Sequence, residues 1–248
     1  MPIHPGLLAA FERRQALKII SGLNNFDAER VRAVVRAAER GGATFVDIAA
    51  DPALVHLART ETQLPICISA VEPEQLAQGI AAGADLAEIG NFDCFYAQGR
   101  TFSAAEVLDL TRRSRALLGA QVTLSVTVPH LLPLDQQADL AEQLAAAGAD
   151  LIQTEGGTSS QPLHSGILGL IEKAAPTLAA AAEISRAVSV PVLCASGLSS
   201  ITAPMAIAAG ASGVGVGSAI NQLDSELAMI AVVRSLVESL AHPVQVVR

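Results

Sequence analysis

One phrase recurs four times along this chain: GGATFVDIA at 41–49, AAGADLAEIG at 81–90, AAGADLIQTEGG at 146–157 and AAGASGVGVGSA at 208–219. Each copy follows an Ala-rich stretch with apolar residues at helical spacing, such as Val31, Val34, Val35 and Ala38 before the first. The Gly ends a helix and the residues behind it start a strand. Further β-rich runs lie between the copies: LKIISG (17–22), LPICISA (64–70), QVTLSVTV (121–128) and VPVLCASG (190–197). That makes eight strands, each followed by a helix-compatible segment. One of these segments, TFSAAEVL at 101–108, carries a capping box of Ser103 and Glu106. Alternating strands and helices mean a parallel sheet. Eight units in 248 residues fit a single (β/α)8 TIM barrel, one domain over 1–248. A doubly wound sheet is the rival, but repeats spread evenly to the C-terminal end favour closure.

Composition removes several classes of function. With 24 acidic and 16 basic residues the formal charge is −8, so nucleic acid is not an expected partner. An anionic membrane surface would repel such a chain as well. Hydrophobic residues make up 51% and charged ones 16%, which is too apolar for a disordered chain and predicts a large core. No apolar run reaches the roughly 18 residues of a membrane span. The opening MPIHPGLLAAFERRQ lacks the features of a signal peptide. Cys67, Cys94 and Cys194 are too few and too widely spaced for a disulfide framework or a metal motif. The expected compartment is cytoplasmic, and no metal ligand set is assigned.

Strand side chains alternate between the helices and the barrel axis. In QVTLSVTV, Val122, Leu124, Val126 and Val128 form the set facing the helices, leaving Thr123, Ser125 and Thr127 inward. The same alternation turns Asp47, Ser69 and Glu88 inward, puts Gln153 and Glu155 on one face, and puts Cys194 and Ser196 on one face. Barrel interiors are ordinarily filled with branched apolar residues. Asp47, Glu88 and Glu155 come from even strands, which predicts a shared layer in which three carboxylates need a cation, a proton or a substrate to offset them. Lys18 is the natural cation, being one of two lysines beside fourteen arginines. Lys18, Asp47, Glu88 and Glu155 are therefore candidate catalytic residues, with His130 at the mouth as a further acid or base. A structural ion pair is the competing account of Lys18. Lys173 reads as a surface or helix-entry residue in the long connection after strand 6, which runs to about Pro176.

Glycine-rich turns follow the last two strands: CASGLSS (194–200) and GVGVGSAI (213–220). Their amides can approach an anion closely, and this loop pair is the recurrent phosphate site of barrels. Gly197, Leu198, Ser199, Gly215, Gly217 and Ser218 are thus the candidate phosphate-binding or cofactor-binding residues. After strand 4, NFDCFYAQGRTF (91–102) concentrates Phe92, Phe95, Tyr96 and Phe102, four of the seven aromatics. Such a loop covers a ligand or plugs a subunit interface.

Phrases such as KIISGLNNF, FVDIAADP, ICISAVEP, AEIGNFDCFY, LSVTVPHLLPLD, IQTEGGTSS, GLIEKAAPTLAAA, CASGLSSITAPMAIAAGA and GVGVGSAIN together resemble the hypothetical chloroplast reading frame 23 family of cyanobacteria and plastids. The likeness covers nearly the whole chain. It implies an aldolase-type barrel from a photosynthetic source, with the plastid stroma as the compartment where the chain is plastid-encoded. It names no reaction and no catalytic residues. The family's DIACDP reads DIAADP here, so a thiol at Ala50 is dispensable.

The expected activity is that of a lyase, isomerase or epimerase acting on a small phosphorylated metabolite, with Lys18 and the carboxylates beneath the glycine amides in one pocket. A barrel binding flavin mononucleotide (FMN) is one alternative, its phosphate on the same loops. A non-catalytic partner of a photosynthetic component is the other. No cofactor is predicted outright, although three carboxylates suit Mg2+. A homo-oligomer remains open.

Overall fold

The computed structural model describes residues 3–156 and 160–241. The helices are α1 (Pro5–Glu12), α2 (Ala28–Gly41), α3 (Pro52–Glu61), α4 (Pro73–Ala81), α5 (Asp93–Tyr96), α6 (Ala104–Leu118), α7 (Leu134–Ala146), α8 (Gly166–Ala187), α9 (Ala203–Ala208), α10 (Ser218–Asn221) and α11 (Glu226–Ala241). The strands are β1 (Ala16–Gly22), β2 (Phe45–Ala49), β3 (Ile66–Ala70), β4 (Leu86–Ile89), β5 (Thr123–Thr127), β6 (Leu151–Gln153), β7 (Val192–Ala195) and β8 (Gly213–Val216). All eight strands pair in parallel and in sequence order, and β8 returns to β1 to close the barrel.

The fourfold phrase is one joint built four times. Gly42, Gly83, Gly148 and Gly210 end α2, α4, α7 and α9 with φ between 87° and 113°, a left-handed backbone that glycine adopts without strain. The next residue is always Ala, and its N–H bonds back across the helix end: Ala43 to Ala38, Ala84 to Gly79, Ala149 to Leu144 and Ala211 to Ala206, at 2.9–3.1 Å. The residue after that starts the ladder, for Thr44, Asp85, Asp150 and Ser212 donate to Leu17, Ile66, Leu124 and Val192 on the preceding strand. Arginines lock two of these joints. Arg115 bonds Gly148 O and Asp150, and Arg59 bonds Gly83 O and Asp85.

The main apolar core lies between sheet and helices, and Leu124, Val126 and Val128 belong to it as their alternation requires. A second cluster fills the N-terminal end of the barrel: Ala16, Phe45, Cys67, Leu86, Leu151 and Leu193, covered by Leu7 and Phe11 of α1. The sequence reading contained no such helix. It plugs an end that would otherwise expose this apolar layer to water.

Three local expectations change. Pro176 lies inside α8, so the connection after β6 ends at residue 165; Gly157, Thr158 and Ser159 of that connection lie outside the described residues. Cys194 and Ser196 do not share a face. Cys194 packs in the outer core beside Thr177, whereas Ser196 sits past the strand end with φ 78° and bonds Asp93. Of the expected capping box, the Ser103 hydroxyl accepts from the Glu106 amide, while the Glu106 carboxylate pairs with Arg100.

Candidate active site

The inward charges divide into two groups. Lys18, Asp47 and Glu88 form a layer halfway along the barrel, all at 0% exposure. Lys18 Nζ donates to Glu88 Oε2 at 2.6 Å, and the same oxygen accepts from Ser125 at 2.8 Å. Gln153 Nε2 bonds Glu88 Oε1 at 2.8 Å and Thr127 Oγ1 at 3.1 Å. The Ser69 hydroxyl donates to Asp47 Oδ1. Side chains from both even and odd strands thus join in one polar network.

Burial alone would lower the Lys18 pKa, but the charges of Asp47 and Glu88 outweigh it and hold the ammonium well above its usual value. Burial pushes Asp47 up to about 6, with Lys18 opposing and Glu88 reinforcing the shift. Lys18 thus faces two carboxylates and forms an ion pair with Glu88. An acid whose folded pKa is raised stabilises the fold while protonated, an advantage lost as pH rises through about 6. Asp47→Asn is therefore expected to raise stability at pH 8 by up to about 3 kcal/mol and to flatten its decline between roughly pH 4 and 6. Urea unfolding at both ends of that range measures this. A variant weaker than wild type at pH 8 contradicts it.

The second group lies at the mouth, where the C-terminal ends of the strands meet the glycine turns. A cavity of about 540 Å3 opens there, and its lining includes Ile20, Asn91, Asp93, Glu155, Lys173, Ala195, Ser196, Gly197, Leu198, Gly217 and Ser218. Glu155 Oε1 accepts from the Tyr96 hydroxyl, from the His130 amide at 3.2 Å and from His130 Nδ1 at 3.0 Å. Burial raises the Glu155 pKa against the opposing pull of its His130 hydrogen bond. For His130 burial acts downward, yet the carboxylate wins and the net shift is upward. Tyr96 also rises, through burial and the neighbouring carboxylate. Its ring packs edge-on against His130, with centroids 5.1 Å apart.

The expected single pocket is therefore wrong. Lys18, Asp47 and Glu88 do not line the cavity, whose floor includes Ile20 and Ala195. A Cβ on Gly215 would stand 2.9 Å from Ala195 Cβ and 3.1 Å from Ile20 Cδ1, so these side chains close over the axis above the charged layer. Gln153 is the β6 member of that layer, and Glu155 lies one inward position higher. The three carboxylates proposed for Mg2+ are accordingly not one group.

Of the glycine-loop candidates, Gly197, Leu198, Gly217 and Ser218 line the cavity, whereas Ser199 and Gly215 do not. The Ser199 amide donates to Thr202 Oγ1 at 2.9 Å. Lys173, read as a surface or helix-entry residue, lines the cavity from α8. Asp93, Asn91 and Ser196 were not singled out as site residues. Their position directly after β4 and β7 was the available signal, since barrel chemistry sits on those turns. The aromatics of the loop after β4 turn into their own chain. Phe92 and Phe102 are buried against each other at 4.3 Å, and Tyr96 supports Glu155.

A closed eight-stranded parallel barrel with a cavity at the C-terminal strand ends defines a TIM barrel. Within that class the chain belongs to the family described as "Protein of unknown function (DUF561)", which matches residues 3–245. It is 43% identical over 225 residues to uncharacterized protein ycf23 of Cyanophora paradoxa, covering 88% of this chain and 90% of that one. The protein of the same name in Pyropia yezoensis is 37% identical over 230 residues, covering 93% and 84%. Among solved structures, (S)-3-O-geranylgeranylglyceryl phosphate synthase from Thermoplasma acidophilum, in complex with sn-glycerol-1-phosphate, superposes with a TM-score of 0.61 at 15% identity, over 97% of this chain and 98% of that one. A truncated 3-deoxy-D-arabino-heptulosonate 7-phosphate synthase from Thermotoga maritima gives 0.61 at 14% identity, over 91% and 85%. Among the described residues no helix is long and apolar enough to cross a membrane.

Proposed function

We propose that this protein is a lyase, isomerase or epimerase acting on a small phosphorylated metabolite bound in the mouth cavity. One observation carries this reading: a single cavity joins the two glycine turns to Lys173 and to the Asp93 and Glu155 carboxylates. The phosphate is assigned to Gly197, Leu198, Gly217 and Ser218, where missing or small side chains let backbone approach an anion. Lys173 is the one lysine or arginine among the described residues lining this cavity, and it supplies a cation for the phosphate. Asn91 Nδ2 is a buried donor with no hydrogen-bond partner among the described residues, and it lines the same cavity. It suits an oxygen of the ligand. The reacting end of the substrate then lies against Asp93 and Glu155, with His130 and Tyr96 holding the Glu155 carboxylate in place. The solved neighbour with bound sn-glycerol-1-phosphate supports the ligand class by analogy of fold.

Lys18, Asp47 and Glu88 are given a structural role here, because none of them reaches the cavity. Titration with sn-glycerol 1-phosphate, followed by calorimetry, tests the assignment. Lys173→Ala removes a charged hydrogen bond, and Ser218→Glu puts a like charge beside the phosphate. Each is expected to weaken binding roughly tenfold or more. Affinity unchanged in both variants, or no binding by the wild type, would overturn it.

A further inference from the structure

We propose that Asp93, His130 and Glu155 bind one divalent first-row metal ion, of the Mn2+ or Zn2+ kind, at the wall of the mouth cavity. Donor atoms of these three side chains all lie within 4.8 Å of one another. His130 Nδ1 stands 3.6 Å from Asp93 Oδ1 and 3.0 Å from Glu155 Oε1. Two donors at about 2.1 Å from one ion are roughly 3.0–3.4 Å apart in octahedral or tetrahedral geometry, so binding requires the His130 and Asp93 donors, now 3.6 Å apart, to close by a few tenths of an ångström.

A second observation points to a missing ligand. Glu155 is 3% exposed, yet its Oε2 has no hydrogen-bond partner among the described residues, although the residue lines the cavity. A buried carboxylate oxygen without a partner carries a desolvation cost that a bound cation removes. The outer contacts orient the set as metal sites require. The Ser196 hydroxyl donates to Asp93 Oδ2 at 2.9 Å, and Asp93 Oδ1 faces His130. Ser196 does so from a left-handed backbone, φ 78°, that is costly for a residue other than glycine. The Tyr96 hydroxyl and the His130 amide anchor Glu155 Oε1, so the partnerless Oε2 is the oxygen this carboxylate offers to the ion.

One imidazole and two carboxylates form a mixed nitrogen and oxygen set, which suits Mn2+, Zn2+, Co2+ or Fe2+ better than the all-oxygen octahedron of Mg2+. Three protein ligands leave coordination positions for a substrate oxygen. Together with the phosphate assignment, on which only this last step rests, the ion selects a phosphorylated substrate bearing a carbonyl or hydroxyl oxygen that can coordinate it.

The test is calorimetric titration of the full chain with Mn2+ after chelator treatment and dialysis, repeated with Co2+ to read the visible bands of an imidazole-ligated ion. One ion per chain is expected. His130→Ala, Asp93→Asn and Glu155→Gln should each weaken uptake by roughly tenfold or more. Asp93 is only partly buried, so its variant is expected to fold, and far-UV circular dichroism checks all three. No uptake by the wild type, or uptake by Asp93→Asn and His130→Ala equal to wild type, overturns the proposal. The two readings fail separately. Mn2+ binding without glycerol phosphate binding removes the phosphate assignment alone, and glycerol phosphate binding without Mn2+ uptake removes the metal site alone.

Discussion

Replacing Lys18 with methionine is expected to destabilise the fold by about 3–5 kcal/mol, the usual consequence of removing one partner from a buried ion pair. Methionine fills much of the same volume, so the loss reports charge rather than a cavity. Glu88 and Asp47 would be left fully buried without their cation, with neutral groups such as Ser125, Gln153, Ser69 and the Cys67 thiol to solvate them. Adding Glu88→Gln to this variant is expected to recover more than half of the loss, because the amide oxygen still accepts from Gln153, its NH2 donates to the Ser125 hydroxyl, and the buried charge is gone. Urea denaturation of the single and double variants gives both numbers. A Lys18→Met protein within about 1 kcal/mol of wild type would refute the structural role assigned to this layer. Loss of glycerol phosphate binding in a variant that remains folded would point back to a catalytic lysine.

Gly90→Ala is expected to cost about 2–5 kcal/mol, combining overpacking with backbone strain. Gly90 follows β4 with φ 144°, a conformation that an L-residue rarely adopts. A Cβ there would fall 2.2 Å from Thr127 Oγ1 and 2.3 Å from Thr127 Cβ. Thr127 cannot move away cheaply, since it belongs to β5 and accepts from the Gln153 amide that holds Glu88. The same turn launches Asn91, Asp93 and Tyr96 into the mouth, so the variant is also expected to weaken Mn2+ uptake. Chemical denaturation measures the first effect and calorimetry the second. A loss below about 1 kcal/mol would show that the β4 end relaxes more easily than this packing implies.

The fold was legible because its signal is local and repeated. Four Gly-Ala joints impose the same left-handed turn and the same backward hydrogen bond wherever they occur, and period-two alternation then sorts each strand into an outer and an inner face. Asp47, Glu88, Ser69, Ser125 and Gln153 could therefore be placed inside the barrel from residue order alone, whereas the direction of Lys18, next to the apolar pair Ile19 and Ile20, was decided only by the structure. The aromatic loop could be placed at the mouth by its position after β4.

Which of those inner groups share a level could not be read in the same way. Level depends on the stagger between neighbouring strands, set by the closure of all eight, and no short segment encodes it. That stagger pairs Gln153 rather than Glu155 with Glu88, and it raises Glu155 to His130 and Tyr96. It also puts Ile20 and Ala195 between the charged layer and the cavity. Lys173 was misjudged because α8 starts at Gly166 and runs straight through Pro176, carrying the lysine to the cavity rim. Sequence determined the barrel and the inward set, because turn chemistry and side-chain alternation act over a few residues. Only the closed tertiary structure decided which charges are sealed inside and which meet at the mouth, because that division depends on strands far apart in the chain coming into register.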